Sequence, residues 1–160
     1  MIASLAVIIL VVVGASAVHA QQVDKGEAIF RGKGACENCH RVRGRGSRVG
    51  PDLSEIGSQR EPAELRTSIV DPGAAILPPN RFYRVTKQDG STVIGRLLNH
   101  DTFTVQLMTQ KEELVAFRKA ELREYGFQKD SAMPSYEGKL SAEELADLVA
   151  YLASLKAVDK

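Results

Sequence analysis

Two cysteines and a histidine stand in this chain at a spacing that supports specific chemistry. Cys36 and Cys39 are separated by two residues, and His40 follows directly in the run GKGACENCHR. C-x-x-C-H is the pattern for covalent haem attachment. Thiols at this spacing can add to the two vinyl groups on one edge of a porphyrin, and the adjacent imidazole can then bind the iron as an axial ligand. The motif predicts one covalently bound haem c, with His40 as a ligand of its iron.

Other interpretations of these residues remain open. A single disulfide is the ordinary expectation for two cysteines in an exported chain. A thioredoxin-like dithiol would need a βαβ pattern around the motif, and the flanking Gly- and Arg-rich sequence has none. A structural zinc site would need four nitrogen or sulfur ligands, and beyond the motif only His100 remains after residue 20. We expect haem rather than zinc or a disulfide.

The ligand on the opposite side of the iron decides what the haem can do. Met133 stands in the irregular segment DSAMPSYEG, just before a helix, where a thioether can be held toward a haem edge. Met108 lies in an alternating run and is more simply a strand residue, since core packing is the usual role of methionine. His100, in the turn-like run LLNHDT, is either the rival sixth ligand or an exposed turn histidine. We expect Met133 to be the second metal ligand.

Length and composition limit the class of protein. The chain has 160 residues, 44% of them hydrophobic, which suits a small globular protein and excludes a disordered tail or a collagen-like rod. Its 21 Lys and Arg residues are balanced by 20 Asp and Glu residues, unlike the clear positive excess of a nucleic-acid binder. We therefore expect protein partners and no nucleic acid.

The first 20 residues carry no charged side chain. Their apolar core is twelve residues long, shorter than the about 20 that span a bilayer, and Val18 and Ala20 stand where a processing site needs small residues. We expect residues 1–20 to be a signal peptide cleaved after Ala20, and residues 21–160 to be an exported, periplasmic domain. Because no basic residue precedes the apolar run, an uncleaved membrane anchor is the alternative.

Helix signals surround the motif. Asp24 and Glu27 can form a capping box at the start of a first helix, and a further helix is expected from about Glu61 to Val70. Ser141 and Glu144 form a second capping box, followed by apolar residues at helical spacing. The last of these helices has the strongest pattern in the chain.

Taken in order, these residues resemble the class I c-type cytochromes. The resemblance is carried by Gly26 and Phe30, the C-x-x-C-H motif, the run Gly50-Pro51-Asp52-Leu53, Met133-Pro134, and Leu148 with Tyr151. It implies a mainly α cytochrome c fold in which the first and last helices cross at a glycine and an aromatic residue. Gly26 and Phe30 are then expected to meet Leu148 and Tyr151.

The resemblance also implies roles around the cofactor. The Pro51 carbonyl is expected to accept the second ring N–H of His40, a contact that fixes the tautomer and raises the basicity of the ligand. Arg60 is either the partner of a haem propionate or a solvated surface residue. The candidate cofactor-binding residues are Cys36, Cys39, His40, Pro51, Leu53, Arg60 and Met133, the metal ligands are His40 and Met133, and no catalytic residue is expected.

The segment between Pro72 and Met133 departs from a plain class I cytochrome. Asp89-Gly90 separates two alternating apolar runs, which is the strongest short signal for a hairpin. Strands are predicted at 82–87, 92–98, 103–108 and 114–117. They indicate a small antiparallel β-sheet or SH3-like barrel inserted at 80–130, hence an α+β protein overall. With this insertion the chain resembles a haem-binding domain of certain large bacterial multidomain proteins.

Basic residues are concentrated around the motif. The segment 31–48 carries six basic residues and one acid. A basic surface there would steer an acidic redox partner or a membrane surface toward the haem edge. The other interpretation is an exposed flexible loop kept soluble by arginine, in which Gly44, Gly46 and Gly50 favour mobility.

These observations predict a mono-haem cytochrome that carries one electron at a time between periplasmic or membrane partners and is not an enzyme. The inserted sheet would serve as a docking or haem-shielding module. The alternative is a haem-based sensor or gas-binding module, in which the sixth coordination site is open or labile. A third interpretation is the haem subunit of a separate periplasmic dehydrogenase.

Overall fold

The computed structural model describes residues 18–74 and 76–157. They form two compact units. The helical unit comprises, in its described part, residues 18–36, 55–66 and 138–157, and the sheet unit comprises residues 37–54 and 67–137. Most of the predicted signal peptide lies outside the described residues. No helix in the described ranges is long and apolar enough to cross a membrane.

The first helix, α1, covers residues 18–31 in the described part of the chain. Asp24 lies inside this helix, so the predicted capping box at Asp24 and Glu27 is wrong. Residues 18–23 continue the helix ahead of Asp24, and its backbone therefore needs no cap. Glu27 instead accepts a hydrogen bond from Arg31, one helical turn later, at 2.8 Å.

Helices α3 (Pro62–Val70) and α4 (Ala142–Ser154) agree closely with the sequence patterns, and a short helix of a single turn, α2 (Ile56–Gln59), was not predicted. Proline suits the first turn of α3 because the N–H that it lacks would have no partner within the helix. Ser141 caps α4: its hydroxyl accepts from the Glu144 N–H at 3.1 Å, and the Glu144 carboxylate accepts from the Ser141 N–H at 2.8 Å. This second capping box is confirmed.

Helices α1 and α4 meet at a glycine. A Cβ on Gly26 would overlap the backbone carbonyl of Asp147 and lie 2.7 Å from Cβ of Tyr151, so no larger residue fits at this position. One turn further along α1, the Phe30 ring packs against the Tyr151 ring with 5.6 Å between centroids. The expected meeting of Gly26 and Phe30 with Tyr151 is present, and Leu148 is buried on the same helix.

A short hairpin follows the C-x-x-C-H motif in the sheet unit. Strands β1 (Arg41–Val42) and β2 (Arg45–Gly46) pair antiparallel across a two-residue turn. The turn residues Arg43 and Gly44 have φ of +48° and +83°, as in the tight turns whose twist matches that of paired strands. The segment expected to be a flexible loop therefore has regular backbone pairing.

The main sheet of this unit has five antiparallel strands in the order β6-β5-β4-β3-β7. Their bounds are β3 Phe82–Lys87, β4 Thr92–His100, β5 Thr104–Thr109, β6 Leu114–Arg118 and β7 Leu122–Phe127. The core of the sheet contains Val85, Val105 and Leu107, whose side chains are completely buried. Direct pairing of Leu97 with Leu107, and of Leu107 with Val115, places these apolar residues on one face.

The sequence predicted four strands, and the structure adds a fifth. Strand β7 pairs with β3, and their register shifts between Thr86 and Lys87. This irregularity breaks the period-two alternation that reveals a strand in sequence. A 3-10 turn at Lys119–Glu121 connects β6 to β7. In the described ranges, four helices and a five-stranded antiparallel sheet give a mixed α/β protein.

Candidate haem site

The C-x-x-C-H motif follows the end of α1 through a tight reversal. The N–H groups of Gly32 and Gly34 donate to the carbonyls of Ala28 and Ile29, both at 2.8 Å, and so satisfy the last turn of the helix. Ala35 then adopts a positive φ of +47°. The chain enters the 3-10 turn Cys36–Asn38 directly after this reversal. The run GKGA therefore turns the backbone sharply into the motif.

Both cysteines are present as thiols, and neither is part of a disulfide. Cys36 is half-buried, with its sulfur 3.5 Å from the Gly34 carbonyl, and Cys39 is exposed. Both thiols thus remain available for thioether formation. The disulfide interpretation receives no support from this arrangement.

The His40 ring is oriented by a backbone carbonyl. Its Nδ1 lies 2.9 Å from the carbonyl oxygen of Pro51, the contact that the family resemblance implied. With the proton on Nδ1 donated to this carbonyl, Nε2 has the free lone pair that a metal requires. Burial lowers the pKa of His40, and the hydrogen bond to Pro51 partly opposes this shift. Burial therefore favours a neutral imidazole, and the contact with Pro51 fixes its tautomer.

Gly50 is part of this site but was not among the candidate site residues from the sequence, where it was considered as part of the resemblance and for loop mobility. Its N–H donates to the Cys39 carbonyl at 2.6 Å. A Cβ on Gly50 would lie 3.0 Å from both Cε1 and Nδ1 of His40, closer than ordinary contact. Glycine is therefore needed for the backbone to pass against the imidazole. Its place directly before Pro51 was the available signal.

The Gly50-Pro51-Asp52-Leu53 run is tied to the β1–β2 hairpin. The Leu53 N–H donates to the Arg41 carbonyl at 2.8 Å, and Arg41 and Asp52 form an isolated parallel bridge. Hydrogen bonds from the hydroxyl and the N–H of Ser54, together with the positive charge of Arg41, lower the pKa of Asp52. Leu53 itself is half-buried. These contacts hold the carbonyl of Pro51 in place beside His40.

Met133 lies in an irregular segment of the sheet unit, as predicted, and is half-buried. The segment is attached to the end of α3 by two hydrogen bonds: the Ser135 hydroxyl donates to the Val70 carbonyl, and the Tyr136 N–H donates to the Ile69 carbonyl at 3.1 Å. Met133 therefore lies two residues before Ser135, where the segment is hydrogen-bonded to α3. This arrangement positions Met133 without enclosing it in a helix or a strand.

The two rival residues are both strand residues. Met108 lies in β5, is 4% exposed and pairs with Arg96 of β4, which agrees with its interpretation as a packed strand residue. His100 is exposed at the end of β4, and its ring stacks on Tyr83 with 6.5 Å between centroids. His100 was predicted to lie in a turn, and it is instead the last residue of β4.

Arg60 ends α2 and is half-buried, with its N–H donating to the Ile56 carbonyl at 3.0 Å. It belongs to the helical unit, whereas His40 and Pro51 belong to the sheet unit. Its role toward a propionate stays a prediction.

The basic segment 31–48 carries less unpaired charge than its sequence suggests. Four of its six cations form ion pairs with carboxylates: Arg31 with Glu27, Lys33 with Glu144, Arg45 with Glu37, and Arg48 with Glu112. Three of these acids lie outside the segment, so they oppose its excess positive charge. A steering role must rest on a weaker field than six free cations would produce.

The donor set suits a covalently held haem. Two thiols at C-x-x-C spacing precede an imidazole whose Nδ1 is hydrogen-bonded to a carbonyl, and the backbone of Gly50 passes close to the ring. In residues 18–74 and 76–157 there is no group of three or more His, Cys, Asp and Glu side chains arranged to hold a metal ion by themselves. The zinc interpretation receives no support in those ranges.

A helix–turn segment bearing C-x-x-C-H, with its histidine oriented by a following proline carbonyl, defines a haem-attachment domain. Residues 23–101 match the family model described as Cytochrome c. This match supports a c-type cytochrome, a family whose function is haem-based electron transfer. The resemblance is confirmed at this level, and class I membership stays a prediction. A comparison with curated proteins gives no match.

Proposed function

We propose that this protein is a mono-haem electron carrier, exported to the periplasm, that performs no substrate chemistry of its own. Cys36 and Cys39 anchor one haem c, and His40 and Met133 bind its iron. The observation that carries the proposal is the 2.9 Å contact between Nδ1 of His40 and the Pro51 carbonyl, which leaves Nε2 for the metal.

The chain's own residues prepare this site before any electron moves. Pro51 fixes the tautomer and orientation of the imidazole, and Gly50 allows the backbone to approach it. Met133 supplies a soft thioether from a segment attached to α3. Haem supplies the one-electron couple when it is bound. Two protein ligands would set its reduction potential and leave no axial position of the iron open to other molecules. The arrangement favours a carrier over an enzyme.

Export and partner choice belong to the same proposal. We place the cleavage site after Ala20, with an uncleaved anchor as the alternative, and the partner at the surface formed by residues 31–48. Because most cations there are paired, we expect the rate of association with an acidic partner to fall only modestly with added salt.

Visible and near-infrared spectra of the purified holoprotein test the axial ligands. We expect a low-spin spectrum in both oxidation states, a far-red sulfur-to-iron band in the ferric form and no response to carbon monoxide. Met133→Ala should abolish the far-red band and allow carbon monoxide to bind. Met108→Leu is the matched control, since Met108 is buried in the sheet, and should keep both properties.

The alternative function is a haem-based sensor or gas-binding module. Rapid binding of carbon monoxide by the unmutated ferrous protein would overturn the carrier proposal and favour this one. Loss of the far-red band in Met108→Leu but not in Met133→Ala would instead show that the second ligand was assigned to the wrong methionine.

A further inference from the structure

The turn between β5 and β6 contacts the loop that orients His40, and both belong to the sheet unit. Glu112 in this turn has a positive φ of +61°, which is uncommon for a residue with a side chain. The turn is closed by the Glu112 N–H donating to the Thr109 carbonyl and by the Thr109 N–H donating to the Glu113 carbonyl, both at 2.9 Å. The backbone thus holds the Glu112 side chain in a defined direction.

The Glu112 carboxylate receives several hydrogen bonds from this loop. One oxygen accepts from the backbone N–H of Arg48 at 3.0 Å, and the other accepts from Nε of Arg48 at 3.2 Å. The Ser47 hydroxyl also donates to it, and the bonds from Ser47 and Arg48 lower the pKa of Glu112. Hydrogen bonds to a charged acceptor are stronger than neutral ones. Because one of the donors is the backbone N–H of Arg48, this contact attaches the backbone of the loop to the sheet, and not only a side chain.

The loop leads directly from this contact to His40. The Ser47 N–H donates to the Glu37 carbonyl at 3.0 Å, and Val49 is buried with 2% exposure. Gly50 and Pro51 follow, and they contact the imidazole from one side. Only two residues therefore lie between Arg48, whose N–H is held by Glu112, and Pro51, whose carbonyl orients His40.

We propose that Glu112 is a positioning residue for His40, and that one role of the five-stranded sheet is to hold the loop 47–51 against the imidazole. The sheet would then influence the redox potential through the orientation and basicity of the ligand, in addition to any docking or shielding role. This inference rests on the proposed ligation by His40, because only a bound iron reports the state of that imidazole as a potential.

The test compares Glu112→Ala, Glu112→Gln and the unmutated holoprotein by redox titration. Alanine removes both side-chain acceptors, whereas glutamine keeps one side-chain oxygen for the loop and loses the charge and the second acceptor. We expect Glu112→Ala to change the ratio of oxidised to reduced protein at a fixed potential by about threefold, or about 28 mV for a one-electron couple. Glu112→Gln should change it by clearly less. Alanine at this position keeps the same Cβ, so the backbone strain at positive φ is unchanged.

Hydrogen exchange gives an independent readout of position. The Gly50 N–H donates to the Cys39 carbonyl beside His40, and we expect its exchange to become about tenfold faster in Glu112→Ala holoprotein. Glu113→Ala is the matched control, because Glu113 is exposed in the same turn, and it should leave both the potential and the exchange rate unchanged. If Glu112→Ala yields no holoprotein, Arg48→Ala removes the side-chain donor and should give a smaller shift in the same direction.

The outcomes separate this inference from the proposed function. Equal potential shifts in Glu112→Ala and Glu112→Gln, with unchanged exchange at Gly50, would show an effect of charge alone and overturn the positioning role. Identical behaviour of Glu112→Ala and Glu113→Ala would overturn it as well. If His40 is not an iron ligand in the unmutated protein, the proposed function fails first, and the spectra of that protein alone reveal it.

Discussion

The contacts inside the helical unit differ in kind from the contacts inside the sheet unit. In the helical unit, Gly26 lets α1 touch α4, and Gly57 lets α2 touch α4, since a Cβ at either position would overlap backbone atoms. The sheet unit also has such approaches, at Gly46 and Gly95 among others, but the core of its main sheet is built from aliphatic side chains such as Val85 and Leu107. The crossings of α4 with α1 and α2 therefore require glycine, whereas the core of the main sheet depends on the volume of its side chains.

This difference explains why the two units tolerate different substitutions. Adding one methyl group where backbones touch forces helices apart, whereas removing methyl groups from a packed sheet leaves a cavity. Adding a carbon atom should therefore destabilise the helix crossing at Gly26, and deleting carbon atoms should destabilise the core of the sheet. The predictions below test that contrast.

The largest effect is expected from a cavity in the sheet. Leu107→Ala removes a fully buried side chain and should lower the free energy of unfolding by about 3 kcal/mol. Leu114→Ala, in the neighbouring strand, removes a side chain that is 74% exposed and should cost less than about 0.5 kcal/mol. Denaturant titration of both variants measures the difference. Similar losses would mean that the face containing Leu107 is not the core.

An added methyl group should have its main effect in the helical unit. We expect Gly26→Ala to cost about 2 kcal/mol, because its Cβ would overlap the Asp147 carbonyl. Gly126→Ala in β7 has open space around the new Cβ and should change stability by less than about 0.5 kcal/mol. Equal costs in denaturant titrations of the two variants would remove the contrast between the units.

A smaller effect is expected at the start of α4. Ser141→Ala removes the hydroxyl that accepts from the Glu144 N–H and should cost about 1 kcal/mol. Ser141→Asp keeps an acceptor at the same position and should restore most of the stability. Thermal unfolding of the two variants measures how much the cap contributes to stability. A Ser141→Ala protein as stable as the unmutated one would show that α4 depends on packing alone.

The pH dependence at this cap should be the smallest effect. Hydrogen bonds from Lys33 and Ser141 lower the pKa of Glu144 below the ordinary carboxyl value of 4.5. Because the pKa of Glu144 is lower in the folded state than in the unfolded state, this carboxylate stabilises the protein above pH 4.5. The contribution is lost as pH falls through the folded-state pKa. Glu144→Gln should flatten this part of the stability curve below pH 4.5. If stability falls with the same slope below pH 4.5 in the unmutated protein and in Glu144→Gln, the hydrogen bonds to the Glu144 carboxylate do not stabilise the folded state.

The sequence was most informative where contacts follow local spacing. The α4 capping box, the position of α3 and the meeting of Gly26 and Phe30 with Tyr151 were all predicted and are present. Ser141 and Glu144 are three residues apart, so the pattern that reveals them lies within one helical turn. The family resemblance supplied the longer-range pair of helices.

The sequence was less informative where one residue joins distant segments. Glu112 reaches Arg48 across 64 positions, and no periodicity connects them. Strand β7 was missed because its pairing with β3 contains a register shift. Asp24 was assigned to a helix start because a capping box also occurs by chance inside helices. In each case long-range packing, rather than local pattern, determined the result.

The most direct test of the central claim is the intact mass of the purified holoprotein, made in a host that attaches haem c, before and after acidic organic extraction. The account predicts a mass increase equal to one haem that survives extraction and disappears in the Cys36→Ala, Cys39→Ala double variant. Haem that is extracted from the unmutated protein, or a mass showing only a disulfide, would contradict the assignment of Cys36 and Cys39 as covalent anchors.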